Sequence, residues 1–218
     1  MPFSTRKRYT ESTMKADNYN PKKLTAELVL DGKIVFLSQE AAITMGLDLK
    51  KDLPDEVVPA LVAESERLLC KKYLYDQIAK YYKTKRGYYT KLLQKGFSKA
   101  AADYAVKCAE ESGYIDDEKF SASYVEQNAS RKGAYRIKKE LLSKGVPSDV
   151  ADRAVAELET DPDDLYRVAK KLVKGDLSTP EERQKLYRKL ASRGFSYGEI
   201  SQVVSVLKRE YEFDDFDD

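Results

Sequence analysis

Three short stretches of the sequence decide the fold: Leu92-Leu-Gln-Lys-Gly-Phe-Ser98, Leu141-Leu-Ser-Lys-Gly-Val-Pro147 and Leu190-Ala-Ser-Arg-Gly-Phe-Ser196. Their glycines are separated by equal intervals of 49 residues. Self-similarity at a fixed period of roughly 20 to 50 residues is the sequence signature of tandem structural repeats. Each glycine follows a helix-forming run, so we expect it to adopt the left-handed conformation and to end that helix. The sequence therefore predicts one structural unit used three times.

The helix after each glycine carries the same apolar stripe, with small or apolar residues at positions i, i+3, i+4 and i+7. Such a stripe is the core-facing side of an amphipathic helix. Its members are Ala102, Ala105, Val106 and Ala109, then Ala151, Ala154, Val155 and Leu158, then Ile200, Val203, Val204 and Leu207.

Each unit is predicted to contain three helices, which makes the fold class mainly α, with three tandem three-helix repeats in an elongated curved array. The predicted helices span residues 64–82, 85–95 and 98–112 in the first repeat, 117–130, 134–144 and 148–159 in the second, and 163–174, 180–192 and 197–210 in the third.

A small β-containing head is predicted before the repeats. Residues 24–30 alternate between apolar and polar, and Asp31-Gly32 separates them from residues 33–37, which is a strong hairpin signal. Residues 8–14 are compatible with a third strand. Ser38 is placed as the N-cap of a short helix over 39–45 that ends at Gly46.

Leu53-Pro54-Asp55 marks the predicted boundary of the head, because proline fits the first turn of a helix and not its interior. The predicted division is a head over 1–53, a linker helix with the first repeat over 54–115, the second repeat over 116–160, the third over 161–210 and an acidic tail over 211–218.

Composition bounds the class of protein. The chain has 39 basic and 37 acidic side chains, and five of the acids lie in residues 211–218, so residues 1–210 carry 39 bases against 32 acids. A basic body favours an anionic partner. Cys70 and Cys108 lack the spacing of a redox or metal motif and are predicted to be reduced thiols. With no signal-like or membrane-spanning run, we expect a cytoplasmic monomer.

Nothing in the sequence points to catalysis. The chain has no histidine, so a nucleophile–histidine arrangement is impossible, and no glycine-rich phosphate loop is present. Asp116-Asp117 could act as paired carboxylates, but the pair stands at a helix start, where aspartate caps free amides. Thr84 is a second predicted N-cap. We expect no enzyme activity, no metal and no cofactor.

Positive charge recurs at the second helix of every repeat, interleaved with tyrosines. Such a face could follow a phosphate backbone or an acidic protein surface, although an ordinary solvated helix face would look similar. The residues predicted to bind a partner are Lys83, Lys85, Arg86, Arg131, Lys132, Arg136, Lys139, Arg183, Arg188 and Arg193.

Four motifs give the sequence a family resemblance: Lys91-Leu-Leu-Gln-Lys-Gly-Phe97, Gly113-Tyr-Ile-Asp-Asp-Glu-Lys-Phe120, Arg136-Ile-Lys-Lys-Glu-Leu-Leu-Ser-Lys-Gly145 and Arg193-Gly-Phe-Ser196. Together they resemble the RecX family of regulators of the RecA recombinase, over about residues 24–207. The head resembles the amino-terminal extension of some members, above all at Leu28-Val-Leu-Asp-Gly32.

The resemblance is incomplete in the first two repeats. Where the family has Arg-Ser and then an acidic residue, this chain has Lys83-Thr84 and then Gly87, so the reciprocal half of a capping box is missing. A Phe-Ala pair of the family is Phe120-Ser121 here.

The resemblance implies a regulatory protein of DNA repair, homologous recombination and the SOS response. Such a protein binds RecA filaments and modulates ATP hydrolysis and strand exchange, by inhibition as the first expectation, without chemistry of its own. Single-stranded DNA within the filament is a possible further partner. Two alternatives stay open: a free-standing DNA-binding module, since a basic second helix is also found in helix-turn-helix proteins, and a generic repeat scaffold.

Overall fold

The computed structural model describes residues 13–30 and 32–214, with side chains described up to residue 210. The described chain is mainly helical, with a small group of antiparallel strands at its start, as the sequence predicts. It divides into two compact units. The first takes the described residues up to 82 together with 88–115, and the second takes 83–87 together with the described residues from 116 onward.

The head contains the predicted hairpin. Strands β3 (Thr25–Leu30) and β4 (Lys33–Ser38) pair antiparallel, from Thr25 opposite Ser38 to Leu30 opposite Lys33. Gly32 has φ +72°, as this tight turn requires, while Asp31 of the predicted turn lies outside the described residues. Ala26, Leu28 and Leu37 face the core of the head.

The strand predicted over residues 8–14 is described only at its end, where Thr13–Met14 is a strand. Residues 8–12 lie outside the described residues, and β1 (Thr13–Met14) pairs with β5 (Leu53–Pro54) instead of the hairpin. The sheet takes its third strand from β2 (Asp17–Asn20), which pairs with β3. Asp and Asn are poor strand formers, so pairing rather than propensity makes this strand, and the Asn18 side chain reinforces it by donating to Glu27 at 2.8 Å.

The boundary at Pro54 was also interpreted incorrectly. Leu53 is buried in the head, and Pro54 lies in the short strand β5. Helix α2 (Val58–Ile78) begins later, and the proline in its first turn is Pro59. The predicted linker helix and first helix of repeat 1 are therefore one continuous helix. Before it, α1 (Gln39–Thr44) starts at Ser38 as predicted, although the Ser38 side chain makes no capping bond.

The remaining helices follow the predicted pattern. Repeat 1 consists of α2, α3 (Lys85–Lys95) and α4 (Lys99–Glu111). Repeat 2 consists of α5 (Asp117–Asn128), α6 (Ala134–Ser143) and α7 (Ser148–Ala156). Repeat 3 consists of α8 (Pro162–Leu172), α9 (Pro180–Ser192) and α10 (Tyr197–Asp214).

Each repeat buries its own apolar core. Leu92, Ala102 and Ala105 are fully buried in repeat 1, Ile137 and Leu141 in repeat 2, and Leu190 and Ile200 in repeat 3. Because these side chains come from the predicted stripes and from the second helices, the stripes do face the cores. The glycines at 96, 145 and 194 all have positive φ, which confirms their predicted role at helix ends.

Candidate functional site

Helix starts in the second unit are held by the predicted caps. The Asp116 carboxylate accepts hydrogen bonds from the backbone amides of Glu118 and Lys119 at 3.0 and 2.9 Å. The bond from the Lys119 amide is the main reason why the pKa of Asp116 is lowered. Thr84 accepts from the Gly87 amide at 3.1 Å. The predicted N-caps at Asp116 and Thr84 are therefore both confirmed.

Two junctions between repeat segments are built alike. Thr84 Oγ1 donates to the carbonyl of Lys144 at 2.7 Å, and the Gly133 amide donates to the carbonyl of Arg193 at 3.0 Å. Thr84 and Gly133 are 49 residues apart in the sequence, as are Lys144 and Arg193. In both junctions, a carbonyl at the end of one repeat's second helix accepts a hydrogen bond from the residue just before the second helix of the preceding repeat.

Glycine allows the closest approach at the second junction. A Cβ on Gly194 would lie 2.2 Å from the Arg136 nitrogen, and a Cβ on Gly133 would lie 2.2 Å from the Gly194 carbonyl oxygen. Real Cβ atoms do not come this close to backbone, so both positions have to be glycine at this spacing. The approach places the start of α6 against the end of α9.

An open cleft of about 660 Å³, which we call the basic groove, lies at this junction. It is formed where the end of α5, the start of α6, the last turn of α8 and the end of α9 meet. Five of its lining side chains are basic and none is acidic. The residues that line it are Asn128, Arg131, Lys132, Arg136, Val168, Lys171, Leu172, Ser192 and Arg193.

Glu140 binds two of the groove cations, Lys132 and Arg136. Its carboxylate accepts hydrogen bonds from Lys132 Nζ at 2.6 Å, from Arg136 Nε at 2.8 Å and from the Tyr124 hydroxyl at 2.7 Å. Lys132 Nζ also lies 5.7 Å from the Tyr124 ring centroid, within cation–π range. The positions of the two cations are therefore set by the core of repeat 2.

The ionisation of this cluster follows from its contacts. Burial alone would raise the pKa of Glu140, but the hydrogen bonds from Lys132, Tyr124 and Arg136 outweigh it and lower the pKa to about 2. Burial, followed by the bond to Glu140, raises the pKa of Tyr124 to about 12. At neutral pH Glu140 is therefore ionised and the Tyr124 hydroxyl is protonated, so Glu140 is a fixed counter-ion beside Lys132 and Arg136.

The structure brings four of the ten predicted binding residues into the basic groove: Arg131, Lys132, Arg136 and Arg193. Three others, Lys83, Lys85 and Arg86, lie at the first junction. There a Cβ on Gly145 would lie 2.2 Å from Arg86 Cδ, and the Lys85 amide donates to Asp117 at 2.8 Å.

The last three predicted residues lie outside the groove. Lys139 and Arg188 are exposed on α6 and α9. Arg183 donates through its guanidinium to the carbonyls of Leu177 and Ser178 at 2.8 and 2.5 Å. The Arg183 side chain therefore fastens the loop that precedes α9.

Lys171 is the groove residue that sequence reasoning missed. It is exposed in the last turn of α8, a first helix, whereas the predicted basic face belongs to the second helices and the residues before them. The signal that could have found it is the run Lys170-Lys171 at a helix end, where cations are favoured.

The chemistry that this arrangement supports is the binding of anions. Arg and Lys side chains converge on one cleft, and guanidinium groups bind carboxylates or phosphates in a bidentate manner. Among the described residues, no group of three or more Cys, Asp or Glu side chains could hold a metal ion. No helix within the described ranges is both long and apolar enough to cross a membrane.

Fold and groove define a tandem three-helix-repeat protein with a basic groove. Two family descriptions match it: the second three-helix domain of RecX over residues 116–155 and the third over residues 159–204. A regulatory protein RecX from Chlorobium phaeobacteroides is 32% identical over 124 residues, which are 55% of this chain and 81% of that protein. The chain belongs to the RecX family.

Longer alignments agree. Proteins named regulatory protein RecX from Clostridium beijerinckii and Clostridium tetani are 29% and 27% identical, over 89% and 85% of this chain and 94% and 89% of their own lengths. A crystal structure of regulatory protein RecX superimposes with a TM-score of 0.65 at 21% identity, covering 88% of this chain and 97% of that one. The structural likeness supports the fold, and the names of the relatives indicate a regulatory protein.

Proposed function

We propose that this chain is a non-catalytic regulator that binds filaments of the RecA recombinase and inhibits their ATP hydrolysis and strand exchange. Family membership supports the partner. The basic groove carries the proposal to particular residues, because five basic side chains from two repeats line this one cleft. A filament offers acidic side chains and DNA phosphates as anions for such a surface.

The repeat architecture suits a filament as a partner. A chain with several similar units can contact several neighbouring subunits, and the first contact raises the effective concentration of the next. Modest contacts at the basic groove and at Lys83, Lys85 and Arg86 then add to a useful total affinity. No chemical step is required, because a bound protein that restrains the filament can alter hydrolysis by its binding free energy alone.

The test is a titration of RecA on single-stranded DNA with the purified chain, following steady-state ATP hydrolysis. We expect hydrolysis to fall with increasing chain. A triple variant, Arg131→Ala/Lys171→Ala/Arg193→Ala, should need at least about tenfold more protein for the same effect. The matched control is Lys72→Ala/Lys80→Ala/Lys99→Ala, which removes the same charge from exposed positions of the first unit. An unchanged hydrolysis rate at every ratio of wild-type chain to RecA would refute the proposal.

A free-standing DNA-binding module is the second candidate, favoured by the lack of acidic side chains in the groove lining. It predicts binding of a labelled single-stranded oligonucleotide without RecA. A plot of the logarithm of the affinity against the logarithm of the salt concentration should have a slope of about −0.7 for each phosphate contacted. If the groove variant abolishes DNA binding while RecA inhibition persists, the groove serves DNA and another surface serves the filament.

A further inference from the structure

A second kind of groove recurs in the second unit, between the first and third helices of repeats 2 and 3. In repeat 2 it lies between α5 and α7 and has a volume of about 510 Å³. In repeat 3 it lies between α8 and α10 and has a volume of about 490 Å³. We call these the paired apolar grooves. They share no lining residue with the basic groove.

The third helices contribute equivalent positions to the two grooves. Val150, Arg153, Ala154 and Glu157 line the first, and Glu199, Gln202, Val203 and Val206 line the second, each 49 residues further on. The shared spacing of i, i+3, i+4 and i+7 follows one face of a helix. A surface that recurs in register in two repeats is a property of the repeat and not of one irregular loop.

The walls of both grooves are apolar. In repeat 2 the partly buried Val125, Ala154 and Leu158 supply the surface. In repeat 3 the partly buried Tyr166 and the exposed Val206 supply it, above the buried Leu165 and Val203. Val206 at the rim of the second groove is 41% exposed. Apolar side chains at this spacing provide the pocket that an amphipathic helix uses for its own apolar residues.

The rims are acidic. Glu118, Glu126 and Glu157 stand against Arg153 in repeat 2. In repeat 3, Asp163, Glu199 and Glu210 line the groove, and Lys170 contacts the Tyr166 hydroxyl at 2.9 Å. Each groove is therefore lined by three acids, with one base, Arg153, in the first groove and none in the second. This charge favours a partner with basic flanks.

The dimensions fit a short helix. Lining positions on α10 run from Glu199 to Glu210, which corresponds to roughly 16 Å at about 1.5 Å per residue. A partner helix of about three turns would cover that length. In repeat 1 the equivalent stripe is partly covered: Ala101 and Ala105 are buried, and the Arg67 guanidinium lies 5.7 Å from the ring centroid of Tyr104, which is 36% exposed. That contact shows a basic side chain seated on this stripe within the chain.

We propose that the paired apolar grooves are docking sites for basic amphipathic helices of a partner protein, with apolar anchors in each groove and Lys or Arg side chains against its acidic rim. This surface extends beyond the proposed role of the basic groove, because it selects partners of the opposite charge. One chain can then hold an anionic ligand on one surface and a basic helical segment on another.

The probe for the test is a labelled amphipathic peptide of about 14 residues, with Leu at i, i+3, i+4 and i+7 and Lys or Arg elsewhere. Isothermal titration calorimetry should show two equivalents bound per chain. A peptide of the same composition with scrambled Leu spacing, and one with Glu in place of Lys and Arg, should bind at least about tenfold more weakly.

Two variants assign the sites. Val206→Asp places a charge in the second groove at an exposed position and should leave one equivalent. Glu126→Lys/Glu157→Lys reverses the rim of the first groove and should weaken that site by about tenfold, while the matched control Glu40→Lys/Glu56→Lys changes nothing. These four glutamates are all exposed, so the double variants test the proposal even if Val206→Asp were to fold poorly.

Three results would overturn the proposal. The peptide could fail to bind, or the acidic and basic peptides could bind equally well. Alternatively, sedimentation could show that the chain associates with itself and that Val206→Asp abolishes this association, in which case the occupant is a second copy. None of these variants alters the basic groove, so inhibition of RecA is measured independently of this result.

Discussion

The Thr84 hydroxyl donates a hydrogen bond of 2.7 Å to the backbone carbonyl of Lys144, 60 residues away, while its oxygen accepts from the Gly87 amide at 3.1 Å. One buried side chain thus caps a helix start and also satisfies a carbonyl at another helix end. Gly133 serves the equivalent carbonyl of Arg193 with its amide, because it has no side chain to offer. The acceptor is a backbone carbonyl in both repeats, whereas the donor is a side-chain hydroxyl at Thr84 and a backbone amide at Gly133.

We expect Thr84→Ala to destabilise the second unit by about 1–3 kcal/mol, because it removes the cap and leaves the Lys144 carbonyl without this donor. Thr84→Ser, which keeps the hydroxyl, should lose much less. The measurement is the shift of the thermal midpoint by circular dichroism. Equal losses for the alanine and serine variants would assign the effect to the methyl group and not to the hydrogen bonds.

The three repeat glycines should respond differently to alanine. All have positive φ, which costs alanine about 1–2 kcal/mol. A Cβ on Gly96 would meet nothing within 4 Å, whereas a Cβ on Gly194 would lie 2.2 Å from the Arg136 nitrogen. We therefore expect Gly96→Ala to cost only the backbone strain and Gly194→Ala to cost at least about 3 kcal/mol.

Gly145→Ala should fall between these two, because the new Cβ would meet the Arg86 side chain, which can shift in part. Urea denaturation of the three variants gives the ranking. Similar midpoints for Gly96→Ala and Gly194→Ala would mean that the close approach at Gly194 relaxes without cost.

The sequence predicts the helices well where local chemistry is sufficient. Thr179 caps α9 by accepting from the Glu182 amide, and Pro180 occupies its first turn, so α9 matches its predicted bounds of 180–192. Local chemistry fails in the head, where β2 depends on pairing with β3. Interpreting Pro54 as a helix start failed because burial of Leu53 fixes that segment.

The basic groove could be predicted only in part. Arg131, Lys132 and Arg136 stand close together in the sequence, so their clustering is visible from local spacing. Lys171 and Arg193 join them only because Gly133 and Gly194 bring two helix ends together. That contact joins residues 61 positions apart, and no local pattern reports it. The role of Glu140 as their counter-ion is equally invisible before the helix is packed.

Glu140 should make stability depend on pH. Its folded-state pKa of about 2 lies below the ordinary value of 4.5, so its contribution is fully present above pH 4.5 and is lost as the pH falls toward 2. Its side chain is 18% exposed, so we expect Glu140→Gln to cost up to about 3 kcal/mol at pH 7. The difference from wild type should shrink steadily below pH 4.5.

Urea unfolding at several pH values measures this effect. Glu64→Gln is the matched control, because Glu64 pairs with Arg67 at 3.5 Å on an exposed helix surface, and such pairs contribute less than about 1 kcal/mol. A difference between Glu140→Gln and wild type that stays constant from pH 7 to pH 3 would contradict the proposed ionic role.

The two thiols should react at different rates. Cys70 is fully buried, and burial raises its pKa to about 12, so almost none of it is thiolate at pH 8. Cys108 is partly exposed. We expect a thiol-specific disulfide reagent to modify Cys108 in the native protein and Cys70 only after unfolding. Mass spectrometry of the Cys108→Ser variant isolates Cys70, and its rapid modification under native conditions would contradict the burial.

Two lysines of the basic groove separate binding from stability. Lys132 contacts Glu140 at 2.6 Å and lies against the Tyr124 ring, so Lys132→Ala should weaken binding and also lower the thermal midpoint. Removing it leaves the partly buried Glu140 with one cation fewer. Lys171 is exposed at the end of α8. Lys171→Ala should therefore weaken RecA inhibition while the free energy of unfolding changes by less than about 0.5 kcal/mol.

Paired measurements of inhibition and melting on both variants test this distinction. Inhibition that is lost with Lys171→Ala at unchanged stability would locate the ligand on the α8 side of the groove, because no change in folding could account for it. If only Lys132→Ala reduces inhibition, and in proportion to its lost stability, the groove acts as a structural junction and the anion-binding surface lies with the other cations, at Lys83, Lys85 and Arg86.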